Sequence, residues 1–197
     1  VTSASCSGGE ASLTADLAER AGLSTPDFPP AAQHRLETVL GPQVNVANPL
    51  DYHTYIWGDG PAQTACFSAM LGAGFEASLL ILDFPRADRC QSRDWEVTLD
   101  AFVAAHKAVP PSPGSVRIVA SALAENLPEG IALRLLSEGI MPAGGLADAL
   151  SAVAAAAKIG TAWNGPHFPA LPAPASLSDG EPVVWDEVRS KSELARH

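Results

Sequence analysis

The chain is poor in the features that mark the commonest self-contained functions. Its 197 residues hold only three cysteines, Cys6, Cys66 and Cys90, and none lie in a C-x-x-C spacing. That pattern signals neither a disulfide framework nor a zinc site, and no metal site is expected. Lys and Arg are outnumbered by Asp and Glu to a formal net charge of −10, and they form no basic cluster. A nucleic-acid surface or an anionic-membrane surface needs such a cluster to displace counterions, so both are excluded as partners. No charged-then-apolar leader is present, and the longest apolar run, around residues 77–82, is far too short to span a bilayer. A soluble protein of the cytoplasm is expected. G-x-S-x-G, G-x-x-x-x-G-K-[ST], H-E-x-x-H and G-x-G-x-x-G are all missing. No catalytic residue is expected in this chain, which does not complete a reaction alone.

What is present is a globular composition, with 47% hydrophobic and 17% charged residues. Strand-like and helix-like segments alternate. Val1-Thr2 reads as the stub of a strand whose start is cut off, followed by a helix from Gly8 with Leu13, Leu17 and Ala21 on one face. A helix over 31–40 precedes a strand at 44–47; then come helix 62–71, strand 77–84, helix 95–109, strand 116–122, helix 128–138, strand 140–142 and helix 146–159. The runs at 77–82 and 116–120 are almost continuously apolar, as strands covered on both faces are. The expected fold is α/β, a flavodoxin-like three-layer doubly wound parallel sheet over residues 1–160. A Pro-rich linker is expected over 161–184 and a helical segment over 185–197.

In such sheets ligands bind beyond the carboxyl ends of the strands. Four loops fall there: Ser5 to Glu10; Asn48-Pro49-Leu50-Asp51 with Tyr52, His53, Tyr55 and Trp57; Asp83 to Arg86; and Glu125 to Glu129. Ser7-Gly8-Gly9-Glu10 opens a helix and so points bare backbone amides at any phosphate placed there. The competing reading is a capping box, Ser7 accepting from the Glu10 amide while Glu10 reaches back. That box does not explain two consecutive glycines, each costing about 1 kcal/mol relative to Ala in a helix. Asn126 with Glu129 repeats the capping logic. Tyr52, Tyr55 and Trp57 either line an acyl pocket or pack beneath their loop. Arg86 and Arg89 either clamp a substrate or pair with Asp83, Asp88 and Asp94. His53 with Asp51 would serve as a catalytic pair only with an orienting contact between them. Cys6, at the helix start, is either a thiol made acidic by the helix end or a packed one.

The ordered set Val1-Thr2, Ser7-Gly8-Gly9, Asp16, Ala21-Gly22-Leu23, Asn48-Pro49-Leu50-Asp51 and Glu125-Asn126-Leu127-Pro128-Glu129 resembles the second ligase-CoA domain of the nucleoside-diphosphate-forming acyl-CoA synthetases. That family includes the ADP-forming acetate-CoA ligases and, more distantly, succinyl-CoA synthetase. The resemblance covers about residues 1–160. It implies a flavodoxin-like unit working beside a CoA-binding domain and an ATP-grasp domain of the same enzyme, with residues 185–197 entering the latter. It further implies a reaction joining acid, CoA and ATP through an acyl phosphate and a phosphohistidine. CoA, ATP or ADP and Mg would serve the whole enzyme, and this domain would bind no cofactor alone. The phosphohistidine would belong to a Ser-His-x-Gly-like stretch of another domain, because His34, His53, His106, His167 and His197 lack that context. Ser7, Gly8, Gly9 and Glu10 would bind its phosphate, with Asn48, Asp51, His53, Arg86, Glu125 and Asn126 on the active face. The family reads Val-Thr-Asn-Ser-Gly-Gly, whereas Ser3-Ala4-Ser5-Cys6 intervene here and are expected to lengthen the phosphate turn. The alternative is a non-catalytic flavodoxin-like binding or interaction module.

Overall fold

The computed structural model describes residues 1–165 and 184–196. Five strands are assigned among them: β1 (Thr2–Ser5), β2 (Leu50–Asp51), β3 (Ala77–Ile81), β4 (Val116–Ser121) and β5 (Met141–Gly144). All pair in parallel, in the order β2-β1-β3-β4-β5. This is the flavodoxin-like order, whose topological switch lies between β1 and β3.

Side chains alternate across each strand, so the apolar runs of β3 and β4 must feed two layers. Leu79, Ile81, Ile118 and Ala120 meet Ala18 of α1 (Gly8–Arg20) and Leu146, Ala149 and Leu150 of α6 (Leu146–Trp163). Leu80 and Val119 face the opposite layer, built from α2 (Pro30–Leu40), α3 (Gly60–Leu71), α4 (Arg93–Ala108) and α5 (Glu129–Ser137). The larger core sits in that second layer. Phe67 is wholly buried between Tyr52 and Phe102, edge-on to both at centroid distances of 5.3 and 5.7 Å. The buried Gln63 amide donates to Thr98 Oγ1 at 2.8 Å, tying α3 to α4 by a polar contact inside an apolar seam. Pro142 lies in β5, an edge strand, where a residue without an N–H is tolerated.

Several expectations are corrected. The strand expected at 44–47 is instead β2, at Leu50–Asp51. Val44 and Val46 are buried in alternation, the pattern that suggested a strand, yet no neighbouring strand pairs with them. The Val46 carbonyl accepts from Gln33 Nε2, and the Asn48 amide donates to Val1 O and Pro26 O, so pairing with β1 begins only at Leu50. In α1 the buried residues are Thr14 and Ala18, while Leu13 is 44% exposed. The helix lies over β1, whose Ser3 and Ser5 face it, and small side chains fill that close contact. Ser3 to Ser5 continue β1 and do not lengthen the turn; only Cys6 and Ser7 separate strand from helix. Helix α6 runs on through Trp163, into the start of the expected linker. The rest of that linker, apart from residues 164–165 and 184, lies outside the described residues, as do His167 and His197.

The chain divides into two units, Val1–Ala162 and Trp163–His197. Within the second, α7 (Glu187–Leu194) starts at Asp186, whose carboxylate accepts from the Arg189 amide at 2.7 Å, and the Arg189 guanidinium lies 4.8 Å from the Trp185 ring.

The two layers make opposite predictions for two large side chains. Phe67→Ala is expected to destabilise by about 3–5 kcal/mol, whereas Leu13→Ala stays within about 0.5 kcal/mol of the parent, both read from urea unfolding. A large loss at Leu13 would contradict the observed face of α1.

Candidate functional site

The carboxyl ends of β1 and β3 open at the switch point, and α1 begins there. Ser7 takes an extended N-cap conformation, φ −139° and ψ 127°, but its side chain makes no capping bond. The capping box of Ser7 and Glu10, the reading that competed with phosphate contact, is therefore absent. Gly8 and Gly9 are exposed at the mouth of the helix, so the first-turn amides face outward without a side-chain acceptor from Ser7.

The two glycines have different causes. A Cβ on Gly8 would approach Asp51 Oδ2 to 3.3 Å, so Gly8 lets the β2 loop close against the helix start. At Gly9 the nearest atom to a Cβ would be Ser7 Oγ at an ordinary 3.5 Å. Packing among the described residues accounts for Gly8 and leaves Gly9 unexplained.

Glu10 sits in the first turn with Oε2 buried and unpartnered among the described residues. Burial, then the charges of Asp83 and Asp51, push its carboxyl up to about 7. A helix N-terminus favours an anion, but here desolvation and two neighbouring carboxylates outweigh it. Cys6 beside it is half-buried, and burial with the Glu10 charge raises its thiol to about 11. The acidic-thiol reading of Cys6 is overturned: no positive group offsets its desolvation.

Asp83, just past β3, is a structural hub. Its Oδ1 accepts from the Ala122 amide at 3.0 Å and from Asn126 Nδ2 at 2.8 Å, clamping the β4 loop to the end of β3. Asn126 thus serves Asp83 rather than a capping box; α5 is entered through Pro128, without a side-chain cap. Asp51 accepts from the His53 amide at 2.9 Å. His53 is the one non-glycine residue with positive φ among those described, 65° with ψ 154°, a region costly for an L side chain. Its ring stacks on Tyr55 at 4.8 Å, and Nε2 stands 3.9 Å from Asp51 Oδ2, beyond hydrogen-bond reach.

The structure therefore gathers Ser7 to Glu10, Asp51, His53 and Asp83 with Asn126 around the switch point. Asn48 is elsewhere: its amide bonds to Val1 O and Pro26 O place it at the amino end of β1, on the side away from the crevice. Arg86 makes a two-pronged pair with Asp88, at 3.0 and 2.7 Å, on an exposed loop, and Arg89 lies 3.7 Å from the same carboxylate. Glu125 is exposed on a 3-10 turn (Ala124–Asn126). Of the aromatics, Tyr52 belongs to the core, Trp57 packs edge-on against Trp95 at 5.4 Å, and Tyr55 is 63% exposed. Two of the three pack beneath the loop. The role of Glu10 had no separate signal in the sequence, because its partners Asp51 and Asp83 come from two other loops. No described helix is long and apolar enough to cross a membrane, and no group of three or more His, Cys, Asp or Glu among the described residues could hold a metal ion.

No protein-family model matches the sequence, and no curated protein matches it. Solved structures do share its fold. PH0766 from Pyrococcus horikoshii OT3 superposes with a TM-score of 0.64 at 20% identity, over 82% of this chain and 35% of that one. The apo form of dinucleotide forming acetyl-coenzyme A synthetase 1 from Ca. Korarchaeum cryptofilum superposes with a TM-score of 0.63 at 17% identity, over 83% of this chain and 34% of that one. The same synthetase in complex with phosphate and ADP gives 0.63 at 17% identity, over 83% of this chain and 33% of that one. The chain thus spans about a third of the length of the structures it matches.

Glu10 gives the crevice a pH signature. Its folded value, about 7, lies above the ordinary 4.5, so the folded state holds the proton longer. Its contribution to stability is complete below the ordinary value and is lost as pH rises through about 7. Glu10→Gln should therefore be more stable than the parent at pH 8, with the advantage shrinking toward pH 4.5, read from urea midpoints across pH. For the thiols, a maleimide at pH 8 is expected to label exposed Cys90 at least tenfold faster than Cys6, followed by mass spectrometry of the digested protein.

Proposed function

We propose that residues 1–162 are the ligase-CoA domain of a nucleoside-diphosphate-forming acyl-CoA synthetase. The whole enzyme joins acid, CoA and ATP to give acyl-CoA, ADP and phosphate, through an acyl phosphate and a phosphohistidine carried on another domain. The CoA-binding and ATP-grasp domains of the same synthetase are the partners, the nucleotide-binding part takes the magnesium, and the reaction runs in the cytoplasm. The isolated segment is inactive because it lacks the nucleophile.

The observation that carries this reading is the open amino end of α1 at the switch point, where no packing among the described residues accounts for Gly9. Outward amides and the helix dipole there favour an anion. The carboxylates of Asp51 and Asp83 oppose one, but each is already engaged, by the His53 amide and by the β4 loop respectively. Glu10, whose carboxyl is raised to about 7, still holds a proton in part of the molecules at neutral pH and there offers an O–H donor in place of a third full charge. A phosphoryl group brought in by a neighbouring domain would then meet the amides of Gly8, Gly9 and Glu10 head on. The likeness to an acetyl-coenzyme A synthetase, one of whose structures holds phosphate and ADP, supports the same reading.

The test uses the whole synthetase carrying Gly9→Ala or Gly9→Val, with phosphohistidine formation from ATP as readout and urea unfolding as the fold control. Gly9→Ala should keep or raise stability, by up to about 1 kcal/mol, and Gly9→Val should lose phosphoenzyme at least tenfold while still folded. Normal phosphorylation by a folded Gly9→Val enzyme would remove the phosphate role and favour the interaction module.

A further inference from the structure

The β2 side of the crevice ends in a residue at an uphill dihedral angle, and such a residue persists only where its surroundings over-determine it. His53 has φ 65° and ψ 154°. Its amide donates to Asp51 Oδ1 at 2.9 Å, and Asp51 Oδ2 stands where a Cβ on Gly8 would meet it at 3.3 Å. Both contacts are local to the rim. The residue between them, Tyr52, reaches the interior. Its amide donates to the Ser5 carbonyl at 2.9 Å, and its wholly buried ring stands edge-on to Phe67 of α3.

A phenylalanine ring would pack there equally well, and a hydroxyl in an apolar seam is costly unless it is hydrogen-bonded. The Tyr52 phenol lies beside Thr98 of α4, whose Oγ1 accepts from Gln63 Nε2 of α3 at 2.8 Å and donates to the Asp94 carbonyl at 3.0 Å. Tyr52, Gln63 and Thr98 are each 0% exposed. Three polar side chains from three segments therefore meet inside the larger core, and their remaining valences are complementary. Burial pushes the Tyr52 phenol well above its usual value, so it keeps its proton and acts as a donor. Gln63 Oε1, without a partner among the described residues, and the second lone pair of Thr98 Oγ1 are acceptors, reached directly or through one water. A buried polar cluster that is satisfied fixes one arrangement of its members.

We propose that Tyr52 is a positioning residue of the crevice: its phenol, seated on Thr98 and Gln63, holds Asp51 against the mouth of α1 and His53 at its uphill angle. The wall is thus set from within the seam between α3 and α4. Its consequence for phosphoryl transfer rests on the function proposed above; the anchoring does not.

The test is hydrogen exchange by NMR on the full chain, expressed as protection factors. The Tyr52 and His53 amides are the reporters, and the Leu82 amide, bonded to the Ala120 carbonyl at 2.9 Å on the β3 side, is the control. Tyr52→Phe and Thr98→Val should each lower protection at the reporters by about tenfold or more relative to Leu82, and the two together should add little to either alone. Thr98→Ser keeps the hydroxyl and should match the parent. Reporters that keep pace with Leu82 in Tyr52→Phe, or a Thr98→Ser variant as loose as Thr98→Val, would overturn the anchor. In the whole synthetase, Tyr52→Phe should slow phosphohistidine formation from ATP by about tenfold, and Thr98→Ser should not. A variant that loosens the reporters yet is phosphorylated at the parent rate would leave the anchor standing and count against the phosphate role of the crevice.

Discussion

Everything at the carboxyl edge is placed by the pairing of β1, which is hydrogen-bonded to β2 on one side and to β3 on the other. Four residues, Thr2 to Ser5, are all buried, and none is large. Only Cys6 and Ser7 separate β1 from α1. The helix mouth is thereby fixed at the switch point, next to the ends of β2 and β3. Asp51 and Asp83 arrive at the same crevice because their strands are in register with β1: Ser5 pairs with Asp51, and Ala4 with Leu80. Topology thus brings one carboxyl from each of three segments to the crevice, and burial first, then the two neighbouring carboxylates, raises the proton affinity of Glu10.

The alternation of strands and helices was legible because β3 and β4 are apolar on both faces, and no other arrangement of such runs covers them. β1 was legible only as a stub. Its Thr-Ser-Ala-Ser composition carries no hydrophobic signal, since its burial comes from neighbours that the local sequence does not name. Val44 and Val46 misled for the opposite reason: alternating burial was real, but burial does not require a ladder, and a side-chain amide from Gln33 took the carbonyl that a strand would have used. Leu13 misled because apolar periodicity reports which face could be buried, whereas the closeness of α1 to β1 selected Thr14 and Ala18.

The candidate site was legible as loops and not as partnerships. Glycines at a helix start and turn residues after strands leave local marks, so Ser7 to Glu10 and Asp51 stood out. What each group does depends on residues 40 or more positions away. Asp83 finds Asn126, and Glu10 finds Asp51 and Asp83. Asn48 was grouped with the site by its neighbours in sequence, yet it precedes β2 and so belongs to the other edge of the sheet. A difference of three residues across a two-residue strand was enough to reverse its side.

The two walls of the crevice differ mechanically. On the β3 side, Asp83 cross-braces two adjacent loops, so a push on one is carried into the backbone of the other. On the β2 side, two paired residues are followed by a backbone held at an uphill dihedral angle and a ring lying loosely on an exposed tyrosine. Load applied at the helix mouth is borne unequally. The β3 wall acts as an anvil, and the part that yields when a body is pressed into the crevice is His53 to Tyr55, which begins at the uphill dihedral angle just beyond the core-anchored Tyr52.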